Sequence, residues 1–343
     1  MTAMDPDRLV EALVAAPAGV ALLASLEAEH RPDQSGFASP PDSHPTAVGA
    51  AAQAVATMPF GDIAARAVGS AARLAGPWTP DAPDLLACAY QEATARRPIA
   101  EAIVAHFGPE LSAPVDHTMQ EWWTSDPGEF DFAARGPRFT DLELVYGNGQ
   151  FSWQGLWTVT NPPPAVHQEL GWAWELSPAM SRWRLPVQPS ARVWEIRHPD
   201  DWAQLVETYP SRAHRPHGGW ELPGRNQHRR EVIELLNTPG QNAVRGEIGH
   251  QVLPDWGTVA AAWDGVHLSW AGFLTSEGYI SELADDGVTM LRYWFSERTT
   301  WLADVFGEPE PLHAPTLDEG VDATVDLERQ GQDRDTLRRL FGR

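Results

Sequence analysis

Apolar residues at helical spacing open the chain. Leu9, Leu13, Leu22, Leu23 and Leu26 form a stripe behind a start signal at Asp5-Pro6, interrupted at residues 17–19 by Pro17 and Gly19. Residues 31–45 carry Pro32, Gly36, Pro40, Pro41 and Pro45, which predicts a loop. Further helices are predicted over 46–74, near 83–95 and, started by Pro98, over 99–107. Near Asp116 the pattern changes. Short β-type runs are predicted over 142–146, 155–160, 191–197 and 265–270, bounded by turn residues such as Gly147-Asn148-Gly149 and Asn161-Pro162. Helical pieces are predicted over 199–206, behind Pro199 and two aspartates, over 229–236 and over 258–263.

Few strands are long, and strand–strand and strand–helix connections mix. The pattern predicts an α+β protein: an N-terminal α-helical domain over 1–115, then a tryptophan-rich mixed α/β domain over 116–306 with a largely antiparallel or split sheet. Thirteen of the 16 tryptophans fall between Trp153 and Trp301, which sharpens that division. Residues 307–343 read as an acidic, proline-broken tail ending in a short basic helix over 334–343.

Lys and Arg number 25 against 47 Asp and Glu, a formal net charge of −22. Such a surface repels phosphate backbones and anionic lipids, so nucleic acid is disfavoured as a partner. No stretch approaches the ~18 apolar residues of a membrane span, and no basic segment precedes an apolar run. A soluble, cytoplasmic protein without a signal peptide is the expectation. The lone Cys88 permits no internal disulfide and sits in an apolar stretch with no cation beside it, so a buried, unreactive thiol is expected.

The chemistry is narrowed first by what is missing. There is no P-loop, GxGxxG, HExxH, GxSxG or kinase signature. His214 and His217, with His228 and His250 beyond them, lack metal-ligand spacing and stand beside Arg215, so no metal is expected. Arg225, Arg229 and Arg230 lie in the most basic segment of an acidic chain; they read either as a solvated helix face or as a grip for a phosphate or pyrophosphate. Glu297 is the only acid in 289–302, among Tyr293, Trp294, Phe295 and Trp301, and reads either as a surface partner of an arginine or as a functional carboxylate in an apolar pocket.

Five segments in order carry a resemblance: Leu144-Val145-Tyr146-Gly147-Asn148, Gly155-Leu156-Trp157-Thr158-Val159-Thr160, Ala191-Arg192-Val193-Trp194-Glu195-Ile196, Trp263-Asp264-Gly265-Val266-His267-Leu268 and Ser296-Glu297-Arg298-Thr299-Thr300-Trp301-Leu302. Over about residues 140–306 they resemble an actinobacterial and phage family with a G-L-W-T-x-T strand and a late S/C-E-x-T-x-W-L element. That family is similar in layout to ADP-ribosyltransferase-like folds, which place an Arg or His on a first strand, Ser/Thr or Tyr on a second, and a Glu late. Here Tyr146 stands near the first position, Thr158 and Thr160 replace the serine–threonine–serine strand, and Ser296-Glu297-Arg298 stands for the late motif. The resemblance implies NAD as cosubstrate, with Glu297, Thr158 and Thr160 as catalytic residues. It further implies Tyr146, Trp157, Arg225, Arg229, Arg230 and Tyr293 as NAD-binding residues.

Two other readings stand beside it. The tryptophans also read as the lining of a non-catalytic module whose aromatic cleft binds a peptide or small ligand. A further alternative reads the histidines as those of a metal-dependent hydrolase. In the enzyme reading the target is a protein or small molecule, with partner contact through the N-terminal helices or the C-terminal tail.

Overall fold

The computed structural model describes residues 5–31, 43–75, 92–124, 130–132, 136, 156–163, 165–166, 181–211, 250–284, 287–291 and 294–312. The fold is α+β, with helices first and strands dominating afterwards. Helix α1 (Pro6–Ala15) starts where Asp5 accepts a hydrogen bond from the Asp7 N–H and Pro6 takes the first turn. The chain leaves the helix at Ala16, in extended conformation, because Pro17 disfavours a helical residue before it; Pro17 then opens α2 (Pro17–Ala28). Almost all of α2 is buried, and a side chain on Gly19 would meet the Leu13 carbonyl oxygen at 2.2 Å, so only glycine permits this close crossing of α1.

The stretch expected as one helix over 46–74 is two, α3 (Pro45–Val55) and α4 (Phe60–Ala75), with the break at residues 56–59. Pro59 ends the ladder because it has no N–H to donate. The helix expected over 99–107 runs longer, as α5 (Arg97–Leu111). The helix expected near 83–95 lies largely outside the described residues; its described end is a tight 3-10 turn, Thr94–Arg96. The predicted elements at 142–146, 229–236 and 334–343, and Cys88, also lie outside them.

The later elements are β1 (Gln120–Thr124), β2 (Leu156–Thr160), β3 (Ser181–Arg184), β4 (Val193–Ile196), α6 (Pro199–Thr208), β5 (His250–Gln251), α7 (Trp256–Ala262), β6 (Gly265–Leu268), α8 (Trp270–Ser276), β7 (Ile280–Glu282), β8 (Gly287–Met290), β9 (Arg298–Trp301) and β10 (Glu310–Leu312). Seven strands form one sheet in the order β10-β3-β1-β2-β9-β6-β4; β5, β8 and β7 form a second. In the large sheet every pair is antiparallel except β4–β6. Its edge strand β10 falls inside the stretch expected as an acidic tail.

Residues paired across strands share a face of the sheet. One face, with Trp123, Val159, Ile196, Val266 and Leu268, joins the buried residues of α1–α5 and α8 in a single apolar cluster, so helices and sheet share one core. The opposite face carries a smaller cluster of Trp122, Leu156, Leu185, Val187, Trp301 and Val305. Beside that smaller cluster, on the same face, the side chains turn polar.

Candidate functional site

The polar patch follows from register. Strand β9 lies between β2 and β6, and Thr299 pairs with Thr158 on one side and His267 on the other. His267 in turn pairs with Glu195 across the parallel β4–β6 ladder. Glu297, immediately before β9, reaches the same face beyond that row.

These side chains form one continuous chain of hydrogen bonds across five strands. Trp301 Nε1 donates to Thr158 Oγ1 at 2.7 Å, and the Thr158 hydroxyl donates to Gln120 Oε1. Gln120 Nε2 donates to Thr160 Oγ1 at 2.9 Å and to the Asp116 carbonyl at 2.9 Å. Thr160 grips Glu297 twice, its hydroxyl donating to Oε1 at 2.7 Å and its backbone N–H to Oε2 at 3.0 Å. Glu297 Oε1 also receives His267 Nε2 at 3.0 Å, and His267 Nδ1 donates to Glu195 Oε2 at 2.7 Å. The other Glu195 oxygen accepts the Val115 N–H at 3.0 Å, and Arg197 Nη2 lies 3.4 Å from Oε2.

Glu297 is 4% exposed and His267 1%. Burial works against charge on the His267 ring. The Glu195 carboxylate and the hydrogen bonds to Glu195 and Glu297 outweigh it, raising its pKa from 6.5 to about 9. At neutral pH the ring is therefore an imidazolium, donating from both nitrogens to two carboxylates. Burial alone would raise Glu195; the His267 charge and hydrogen bond, the Val115 N–H and Arg197 more than offset it and hold Glu195 below the usual carboxylate range. A cation between them is what lets two carboxylates share this interior.

Arg298 occupies the opposite face. Its guanidinium lies 4.1 Å over the Trp157 ring, and burial pushes its pKa down to about 9 against the pull of Glu277 and Glu297. Both chain turns flanking the patch are unusual. Asn161, directly after Thr160, has φ 34°, and Phe295, two residues before Glu297, has φ 62°. Asparagine tolerates that region; a buried phenylalanine there is strained, and such strain collects at functional sites.

Of the residues singled out in the sequence, Glu297 and Thr160 meet directly, and Thr158 joins them through Gln120. Trp157 does not join them: it is paired with Thr300 on the helix-facing side, under Arg298, so it is no platform for a ring held at Glu297. Tyr146, Arg225, Arg229, Arg230 and Tyr293 lie outside the described residues, as do His214, His217 and His228. Among the described residues no three His, Cys, Asp or Glu side chains converge as a metal site. Asp264 serves the turn before β6, accepting the Arg192 N–H at 2.7 Å.

Sequence reasoning gave no role to Gln120, Glu195 or His267. Glu195 and His267 stand 72 positions apart and His267 and Glu297 30 apart, so only the strand order joins them. Their one signal is a charged or titratable residue at an inward position of an otherwise apolar strand, in Val193–Ile196 and Gly265–Leu268.

No family model, curated protein or solved structure matches the chain.

Proposed function

We propose that the protein is a divergent ADP-ribosyltransferase-like enzyme that uses NAD as cosubstrate on a protein or small-molecule target, with Glu297 as its central carboxylate. One observation carries the reading: Glu297 is held at a fixed point by Thr160, on the very strand whose threonines the resemblance assigns to the same site. NAD supplies the glycosidic bond to be broken. A carboxylate held rigidly in a dry setting stabilises positive charge developing on a ribose ring more strongly than one that must reorganise. Thr160 orients Glu297, Thr158 and Gln120 orient Thr160, and His267 supplies the counter-charge. Among the described hydrogen bonds, Oε2 of Glu297 takes one donor where Oε1 takes two, which makes Oε2 the oxygen for a ribose hydroxyl.

A second reading rests on the burial of Glu297 and its three hydrogen bonds from within the chain. In that reading the network fastens the sheet, and the protein is a binding module. Its aromatic surface is the partly buried group of Trp194, Trp263 and Tyr209, in which Trp263 Nε1 donates to the Tyr209 hydroxyl at 3.0 Å. Incubation of the full chain with NAD decides between them. The enzyme reading expects nicotinamide release above a protein-free blank; no release at high protein concentration turns the reading to the binding module.

A further inference from the structure

We propose that His267 is a positioning residue for Glu297: as an imidazolium clamped between Glu195 and Glu297 it fixes the orientation and charge of the Glu297 carboxylate, and loss of its proton dismantles the site. The inference deepens the reading of Glu297 as the functional carboxylate and rests on it.

The geometry leaves the ring little choice. Nδ1 is 2.7 Å from Glu195 Oε2 and Nε2 is 3.0 Å from Glu297 Oε1. A neutral imidazole has one donor and one acceptor nitrogen, so it would turn a lone pair toward one of the two carboxylates. Neither partner can swing away without loss. Glu195 is anchored by the Val115 N–H, and Glu297 by both the N–H and the hydroxyl of Thr160. The ring itself sits on β6, the strand paired to both β4 and β9, and is fully packed.

Among the described residues, the charged groups around it are Glu195 and Glu297 in contact, Arg197 beside Glu195, and Arg298 with Glu277 across the sheet. Arg197 and Arg298 favour loss of the proton, whereas the two touching carboxylates favour keeping it. Contact prevails over distance, and the raised pKa of His267 agrees with this sign. Deprotonation leaves Glu195 and Glu297 with no cation between them. Because Glu195 also holds Val115, in the segment joining α5 to β1, the change is felt where helices meet sheet.

The test uses full-length protein with isotope-labelled histidine and glutamate, followed by NMR from pH 6 to 10 without NAD. His267→Gln assigns the imidazole, and Glu297→Gln assigns the carboxyl carbon. The expected result is one imidazole that stays doubly protonated at pH 8 and titrates near 9, with the Glu297 carboxyl carbon shifting at the same midpoint. If a variant fails to fold, Glu195→Gln is the alternative: it removes the far carboxylate and lowers the imidazole midpoint by one pH unit or more. A ring that titrates near 6.5, a carboxyl that ignores the ring, or a midpoint unmoved in Glu195→Gln overturns the inference. These resonances are read in the absence of NAD, so a failure of NAD cleavage is a separate result that bears on the enzyme reading alone.

Discussion

Replacing His267 by glutamine removes the cation between the buried Glu297 and the partly buried Glu195 while keeping a similar side-chain length. Glutamine donates from its amide nitrogen to one carboxylate and faces the other with nothing to give. Breaking a buried charge pair from one side costs about 3–5 kcal/mol, because the remaining charge is stranded. The pH dependence supplies an independent magnitude. An imidazole raised from 6.5 to about 9 contributes stability that is fully present below 6.5 and lost as pH rises through 9. At about 1.4 kcal/mol per pH unit, that contribution is about 3 kcal/mol. The stability gap between wild type and His267→Gln is therefore widest near pH 6 and shrinks by about 3 kcal/mol by pH 10. Urea unfolding followed by tryptophan fluorescence at several pH values measures it. A gap that stays constant from pH 6 to 10 would refute the argument, because the ring would then carry no linked proton.

Three other substitutions probe the scaffold and the acid side of the same logic. Gly49 lies exposed in α3 with open space around it, so Gly49→Ala raises stability by about 0.5–1 kcal/mol in urea unfolding. Gly19→Ala, by contrast, drives a methyl into the Leu13 carbonyl and yields a protein unfolded or strongly destabilised in the same assay. Glu27 is buried against Arg96 at 2.6 Å and accepts the His44 N–H at 2.7 Å. Burial alone would raise its pKa, but the His44 N–H, Arg96 and Arg31 hold it below the usual range. It stabilises the fold above about pH 4.5 and that contribution fades on acidification, so Glu27→Gln costs most at pH 7 and progressively less toward pH 3. A cost independent of pH contradicts this.

Legibility differs between helices and strands for a physical reason. Helix starts announce themselves locally: Asp5-Pro6, Pro17 and the acids behind Pro199 each satisfy or remove orphan N–H groups within a few residues. Strand β2 is legible because the run 156–160 is β-rich and ends at Asn161-Pro162. Strand β1 is not, because Trp122 and Trp123 are buried on opposite faces and no alternation survives. Helix α8 hides in an apolar run that reads as the end of a strand; Ser269, which accepts the Gly272 N–H at 3.1 Å, is the cap that separates them. At the site, Glu297 stands out by residue type and setting, while Thr158 and Thr160 enter only through the resemblance of their strand. Their real neighbours His267, Glu195 and Gln120 enter through strand pairing, which no local window contains.

The burial of Glu297 sharpens the decisive experiment on the enzyme account. Glutamine there keeps the shape, removes the charge and weakens the partner of the His267 imidazolium, so some loss of melting temperature is expected. Rates are therefore compared well below the melting points of both proteins, with NAD affinity measured in parallel by calorimetry. The account predicts that Glu297→Gln binds NAD comparably and releases nicotinamide at least about 10²-fold more slowly, the scale lost with one preorganised electrostatic group. A folded Glu297→Gln protein that releases nicotinamide within a few-fold of wild type would contradict it.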